Sequence, residues 1–153
     1  MGSPLQVSAG MAADLERLLS RVRREHAMIR TLLDDVDRAC TLALATGAGE
    51  RATRLRKTVW DLYLVFDEHL AMEEAHIAPL LRAGGAVGEK RAVDMVLEHN
   101  EQRRVMLELV EDAERDQKAL GELVRAAQAL VAAFRIDMET EESTLSVVFA
   151  RPG

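Results

Sequence analysis

Apolar side chains recur every three or four residues from Met11 onward. Leu15, Leu18, Leu19, Val22, Ile29, Leu33 and Val36 make one stripe, and His26 falls inside it. Gly47-Ala48-Gly49 interrupts the pattern. A second stripe runs through Val59, Leu62, Phe66, His69, Met72, Glu73, His76 and Leu80 until Gly84-Gly85 and Gly88 end it. A third carries Val93, Val96, His99, Met106 and Val110. After the polar stretch Glu114-Arg115-Asp116, a fourth carries Leu123, Ala127, Leu130, Phe134, Asp137, Glu141 and Leu145. Four long helices with short connections predict an all-α, up-down-up-down antiparallel four-helix bundle whose facing stripes share one core. Residues 1–10 are expected to be poorly ordered and residues 11–150 to form the single domain.

The polar residues on these stripes change the picture. Glu25-His26-Ala27-Met28-Ile29-Arg30 and Glu98-His99-Asn100-Glu101-Gln102-Arg103 read as one motif used twice, with the histidines 73 residues apart (26 to 99). His69-Leu70-Ala71-Met72-Glu73-Glu74 is echoed by Asp137-Met138-Glu139-Thr140-Glu141-Glu142 at an offset of 68 (69 to 137, 73 to 141). The later copy keeps its acids but has aspartate where histidine stood. Near-constant offsets imply a duplicated helical hairpin closing on one site, at a level deep in the middle of the helices.

A lone histidine on an apolar stripe is ordinarily a hydrogen-bonded core residue. Three at matching heights beside glutamates need a further account, because an unpaired buried carboxylate is costly and must protonate or find a partner. His69 with Glu73 and Asp137 with Glu141 are i, i+4 pairs, so each pair projects from one helix face. With His26 and His99 they give six inward donors, and imidazole plus carboxylate is the ligand set of iron, manganese and zinc. Six donors suit two octahedral ions sharing carboxylates, whereas one tetrahedral zinc would strand some of them. Without metal, Arg103, one turn after His99, is the expected partner of the buried acids in a polar layer.

Neighbouring residues are assigned humbler places. His76 has the Glu-x-x-His spacing from Glu73 seen in ferritin-like bundles. It lies about 10 Å along the helix from His69 by rise alone, so a rim position is expected. Tyr63, Met72, Met106, Met138, Leu62 and Phe66 are expected to pack, and Glu25 and Glu98 to be solvated charges on flanking faces.

Composition supports the bundle and narrows the partners. Of 153 residues 48% are hydrophobic and 30% charged, with 3 prolines and 5 aromatics (Phe 3, Trp 1, Tyr 1), which favours helices packed through Leu, Ala, Val and Met. A chain this long buries enough surface to fold without staples. The net charge of −6 argues against nucleic acid, and no apolar run is long enough for a membrane span. Cys40 is alone, so a cytoplasmic setting is expected.

The chain resembles the hemerythrin-like, or HHE cation-binding, domains over nearly its whole length. Their pattern is a histidine on the first helix, His-x-x-x-Glu followed by a Leu/Pro segment on the second, Glu-His on the third and His-x-x-x-Glu on the fourth. Here these are His26; His69 and Glu73 before Ala78-Pro79-Leu80-Leu81; Glu98-His99; and Asp137 with Glu141. The resemblance implies two non-haem iron ions, with Glu73 and Glu141 bridging and the histidines as terminal ligands. Asp137 departs from the pattern and is expected to bind directly or through water, carboxylate being a hard ligand for iron and manganese. Its extra negative charge favours ferric iron and a lowered reduction potential. The implied role is to bind or react with dioxygen, peroxide or nitric oxide in buffering, sensing or detoxification. Two alternatives stand beside it: a di-iron oxygenase or peroxidase acting on an organic substrate, and a metal-free helical interaction module. Manganese and zinc are alternative metals.

Overall fold

A computed structural model describes residues 9–46, 50–115 and 119–150. Among these residues the chain forms α1 (Ala9–Thr46), α2 (Glu50–His76), a short α3 (Ala78–Arg82), α4 (Gly85–Arg115) and α5 (Leu120–Val148), with no strand. In the larger apolar cluster, Ile29 to Ala43 of α1 meet Leu55 to Leu70 of α2, Met106 to Ala113 of α4 and Leu123 to Met138 of α5. Later residues of α1 and α4 thus lie against earlier residues of α2 and α5. Consecutive long helices run antiparallel, which is the up-down-up-down bundle the periodicity predicts. None of these helices is long and apolar enough to cross a membrane.

A second, smaller apolar cluster closes the other end with Val22, Met72, Ile77, Ala78, Leu81, Ala92 and Leu145. Helix α3 exists because of Pro79. Its ring nitrogen has no proton for the Ala75 carbonyl, so the α2 ladder breaks there. The backbone turns through Ile77, whose N–H still reaches the Glu73 carbonyl at 2.7 Å and whose own carbonyl accepts from Leu81 at 3.0 Å. The break turns Ile77, Ala78 and Leu81 inward, leaving Leu80 only half-buried and His76 exposed. Because α2 stops at His76, His69 and Glu73 occupy its last two turns rather than its middle.

Several stripe assignments shift by one residue. On α4 the buried positions are Gly88, Ala92, His99, Gln102, Met106, Leu109, Val110 and Ala113, while Val93 is exposed. On α5 the stripe passes through Phe134, Met138 and Leu145, so Asp137 sits half-buried at its edge. Helix α1 starts two residues before Met11. The expected disorder of residues 1–8, and the Gly47-Ala48-Gly49 break, lie outside the described residues. Cys40 is wholly buried, and burial, then the charge of Asp37, pushes its thiol up to about 11. It is an inert core residue.

Gly85 opens α4 with φ +82°, as a turn glycine does. Gly88 does not end a helix. It lies within α4, where a Cβ would stand 1.8 Å from the Leu81 carbonyl oxygen, so the α3 backbone is packed directly on it. Gly88→Ala should force these helices apart and destabilise the protein by roughly 1–3 kcal/mol. Thermal denaturation will show this as a lowered Tm, and an unchanged Tm would mean that the close approach is not maintained.

Candidate metal centre

Between the two apolar clusters lies one polar layer. His26 from α1, His69 and Glu73 from α2 and His99 from α4 are each no more than 2% exposed. Glu141 from α5 joins them with its side chain 25% exposed. The i, i+4 spacing puts His69 and Glu73 on one face, and their inward turn faces the same space as the histidine of α1. His69 Nε2 is 2.6 Å from Glu73 Oε1, and His26 Nε2 is 3.1 Å from His69 Nε2 and 3.0 Å from Glu141 Oε1. These four residues offer donor atoms all within 4.8 Å of one another. His99 Nε2 stands 4.0 Å from Glu73 Oε1, next to the group but outside it.

Each ring has a carboxylate behind it, and each of those carboxylates has an arginine. His69 Nδ1 is 3.1 Å from Glu25, which accepts from Arg21 at 2.8 Å. His26 Nδ1 is 3.4 Å from Glu142, held by Arg30 at 2.8 Å. His99 Nδ1 is 3.4 Å from Glu74, which takes both ends of the Arg103 guanidinium at 2.6 and 2.8 Å. An imidazole that directs Nδ1–H at a carboxylate carries its lone pair on Nε2. His69, whose Nδ1 is hydrogen-bonded to Glu25, then carries its lone pair on Nε2, and the Nε2 atoms of all three rings face inward, toward one another or toward carboxylate oxygens. Such an arrangement is repulsive unless a proton or a metal cation sits among them, and a carboxylate behind a ligating imidazole is the usual support of metal sites.

Hydrogen-bond accounting agrees. Both oxygens of Glu73, Oε1 of Glu141 and both ring nitrogens of His99 are buried without a hydrogen-bond partner. In an ordinary core such groups are satisfied. Burial, and next the Glu141 carboxylate, pushes Glu73 up to about 11. Burial also acts upward on Glu141, but its contacts to His26 and Glu73 outweigh that and lower it. His99 is lowered, chiefly by burial, so its ring stays neutral at neutral pH and able to ligate. The donor set fits a divalent cation: two ionisable oxygens and neutral nitrogens around one dry space.

The Hemerythrin HHE cation binding domain matches residues 17–147. The chain belongs to that family. No curated protein and no solved structure matches it significantly. Hemerythrin-family domains bind metal cations, and the layer just described lies wholly within the matched span.

Of the six donors read from the sequence of this hemerythrin-family chain, His26, His69, Glu73 and Glu141 converge and His99 adjoins them. Asp137 stands apart, its Oδ2 accepting from Gln102 at 3.1 Å. His76 is exposed at the rim, and Tyr63 packs half-buried against the core with its ring 5.7 Å from Trp60. Arg103 does not neutralise the inward acids. It is bound to Asp67 and Glu74. Glu25 is not a solvated flanking charge but the carboxylate behind His69. Sequence reasoning missed the parts played by Glu25, Glu74, Glu142 and Gln102. A signal was present for Glu74 and Glu142: arginine recurs one turn after His26 and His99, and both acidic doublets place a second glutamate beside the inward one.

Two outcomes follow from this geometry. Glu74→Gln or Glu142→Gln should weaken metal binding about 10–100-fold with the fold intact, read by competition with a chelator. Glu73, raised in the folded chain, stays protonated there across a window in which the unfolded chain has lost the proton. Its contribution to stability is complete below about pH 4.5 and declines as pH rises toward 11. Metal-free Glu73→Gln should therefore be more stable than wild type at pH 8 by roughly 1–3 kcal/mol, with the difference closing near pH 4. Denaturant melts at the two pH values check it, and a variant less stable than wild type at pH 8 would contradict the assigned protonation.

Proposed function

We propose that this hemerythrin-family protein holds two non-haem iron ions in the polar layer and there binds or reacts with a small ligand: dioxygen, peroxide or nitric oxide. Its task in the cell is to buffer, sense or detoxify that ligand. The observation that carries the reading is the convergence of inward Nε2 and carboxylate atoms in a buried layer, several of them without a hydrogen-bond partner and each imidazole with a carboxylate behind it. When bound, iron would supply Lewis acidity and one-electron chemistry.

The chain's own residues do the rest. His26, His69 and His99 offer neutral nitrogen, Glu73 and Glu141 offer oxygens able to bridge, and Phe66 covers the layer from the larger cluster, its ring 6.3 Å from that of His69 and stacked at 4.4 Å on Phe134. Loading the site requires Glu73 to release its proton, and Glu141, partly exposed, gives that proton a route to solvent. The scale of the ligand follows from the packing. The layer is flanked by apolar clusters on both sides, which accords with a ligand no larger than a diatomic molecule or peroxide. The described cavity of about 530 Å³ instead lies between the start of α1 and the α2–α3 corner and is lined by Arg17, Arg21 and Arg24, with none of the inward donors on its wall. The buried free thiol of Cys40 accords with the reducing cytoplasm.

Elemental analysis of protein saturated anaerobically with ferrous iron should give about two ions per chain. The visible spectrum should change on addition of nitric oxide. Protein that retains no iron and shows no spectral response would exclude this function in favour of a metal-free helical module.

A further inference from the structure

Three arginines hold the carboxylates behind the rings, and one of them holds its partner differently. Arg30 grips Glu142 with both terminal nitrogens, at 3.4 and 2.8 Å, and Arg103 grips Glu74 in the same way at 2.6 and 2.8 Å. Arg21 reaches Glu25 through Nε alone, at 2.8 Å. Its two terminal nitrogens have no hydrogen-bond partner among the described residues. Glu25 divides its oxygens between its two neighbours: Oε2 accepts from Arg21, and Oε1 stands 3.1 Å from His69 Nδ1. Of the three arginines, Arg21 is also the one on the wall of the cavity of about 530 Å³ between the start of α1 and the α2–α3 corner.

Helical spacing builds that wall. Asp14, Arg17, Arg21 and Arg24 recur at steps of three and four residues, so they lie along one face of α1. Arg17 is paired with Asp14, one turn away. Arg24 has neither an ion pair nor a hydrogen bond among the described residues. Three guanidinium groups thus share a wall with one carboxylate, in a chain whose net charge is −6. Leu18 of α1 and Pro79 and Leu80 of α3 give the same cavity an apolar side. Its volume falls within the range of about 300–1,000 Å³ usual for small-molecule sites. Paired guanidinium N–H groups match the oxygens of carboxylates and phosphates.

We infer that this corner cavity binds a small organic oxyanion, a carboxylate or phosphate monoester carried on an apolar body, and that Arg21 links its occupancy to His69. The anionic head takes Arg24 and the terminal nitrogens of Arg21, while the apolar body lies on Leu18, Pro79 and Leu80. Arg21 Nε stays on Glu25 throughout. The guanidinium is then fixed from two sides, and the carboxylate behind His69 is fixed with it. A bare inorganic anion satisfies the arginines but leaves the apolar side wet, and a neutral aromatic does the reverse. The site therefore selects for both parts in one molecule.

Calorimetric titration of the full chain without added metal, at fixed ionic strength, tests this with naphthyl phosphate and naphthoate, and with inorganic phosphate and naphthol as partial ligands. At least one of the naphthyl oxyanions should bind once per chain, at least about tenfold more tightly than either partial ligand, and the tighter one identifies the head. Arg24→Gln and Arg21→Gln should each weaken that binding by about tenfold. Saturation should shift the side-chain nitrogen resonances of His69 in the wild type and in Arg24→Gln, and leave them in place in Arg21→Gln. Circular dichroism confirms that each variant is folded. No saturable binding of either naphthyl oxyanion, equal binding of inorganic phosphate or naphthol, or an unchanged affinity in Arg24→Gln would overturn the site. Binding that leaves His69 unshifted in the wild type would overturn the link. Iron loading, measured separately, decides the proposed function whichever way these titrations fall.

Discussion

The protein is organised around a single electrostatic problem: three imidazole nitrogens and two carboxyl groups facing one another in a layer buried between two apolar clusters. Left alone, that layer works against folding, since Glu73 must keep its proton and several buried atoms lack partners. The two apolar clusters on either side supply the burial that tolerates it, each fully buried Leu, Ile or Phe contributing about 1.5–3 kcal/mol. A cation resolves the same conflict directly. Function and folding therefore place opposite demands on Glu73 and agree on nearly every other core position.

The second organising device is the layer of glutamates behind the rings. In each acidic doublet the first residue turns inward and the second reaches across to an imidazole on another helix, where an arginine one turn beyond that imidazole holds it. Adjacent residues on a helix point about 100° apart, so a doublet can serve both purposes only at a helix contact. The arginines are partly exposed, and Arg103 is held above its already high range by the hydrogen bonds it donates to Glu74 first, against some desolvation. Such pairs contribute little stability on their own. Their effect is directional: they stand on the Nδ1 side of the His26 and His99 rings, opposite the metal layer.

Duplication gives the bundle an approximate twofold character, and the places where the copies diverge are informative. Conserving His99, Arg103 and Glu74 relative to His26, Arg30 and Glu142 keeps the frame symmetrical. Exchanging His69 and Ile29 for Asp137 and Gln102 alters the seam between α4 and α5, where the Gln102 amide donates to Asp137 at 3.1 Å. Gln102 in place of Ile29 would be an unexplained buried amide in a purely structural bundle. Beside Asp137 it has an evident partner.

Much of this was legible in the order of residues. Helix number, their antiparallel course and the inward placement of His26, His69, Glu73, His99 and Glu141 follow from three- and four-residue spacing, because a helix converts spacing into a face. The repeat of histidine and glutamate likewise announced one site shared by two hairpins. Spacing cannot register what happens between helices. That Gly88 is a contact point rather than a terminator depends on how closely α3 approaches α4, and that Met138 rather than Asp137 enters the core depends on the rotation of α5 about its own axis. The reassignment of Glu25, Glu74, Glu142 and Arg103 is of the same kind, since each partner lies on another helix and is set by distances of a few ångströms across an interface. Local pattern determined which side chains face inward; only tertiary packing decided which of them meet, because contact between helices depends on their separation and rotation, and neither is encoded in the period of a single helix.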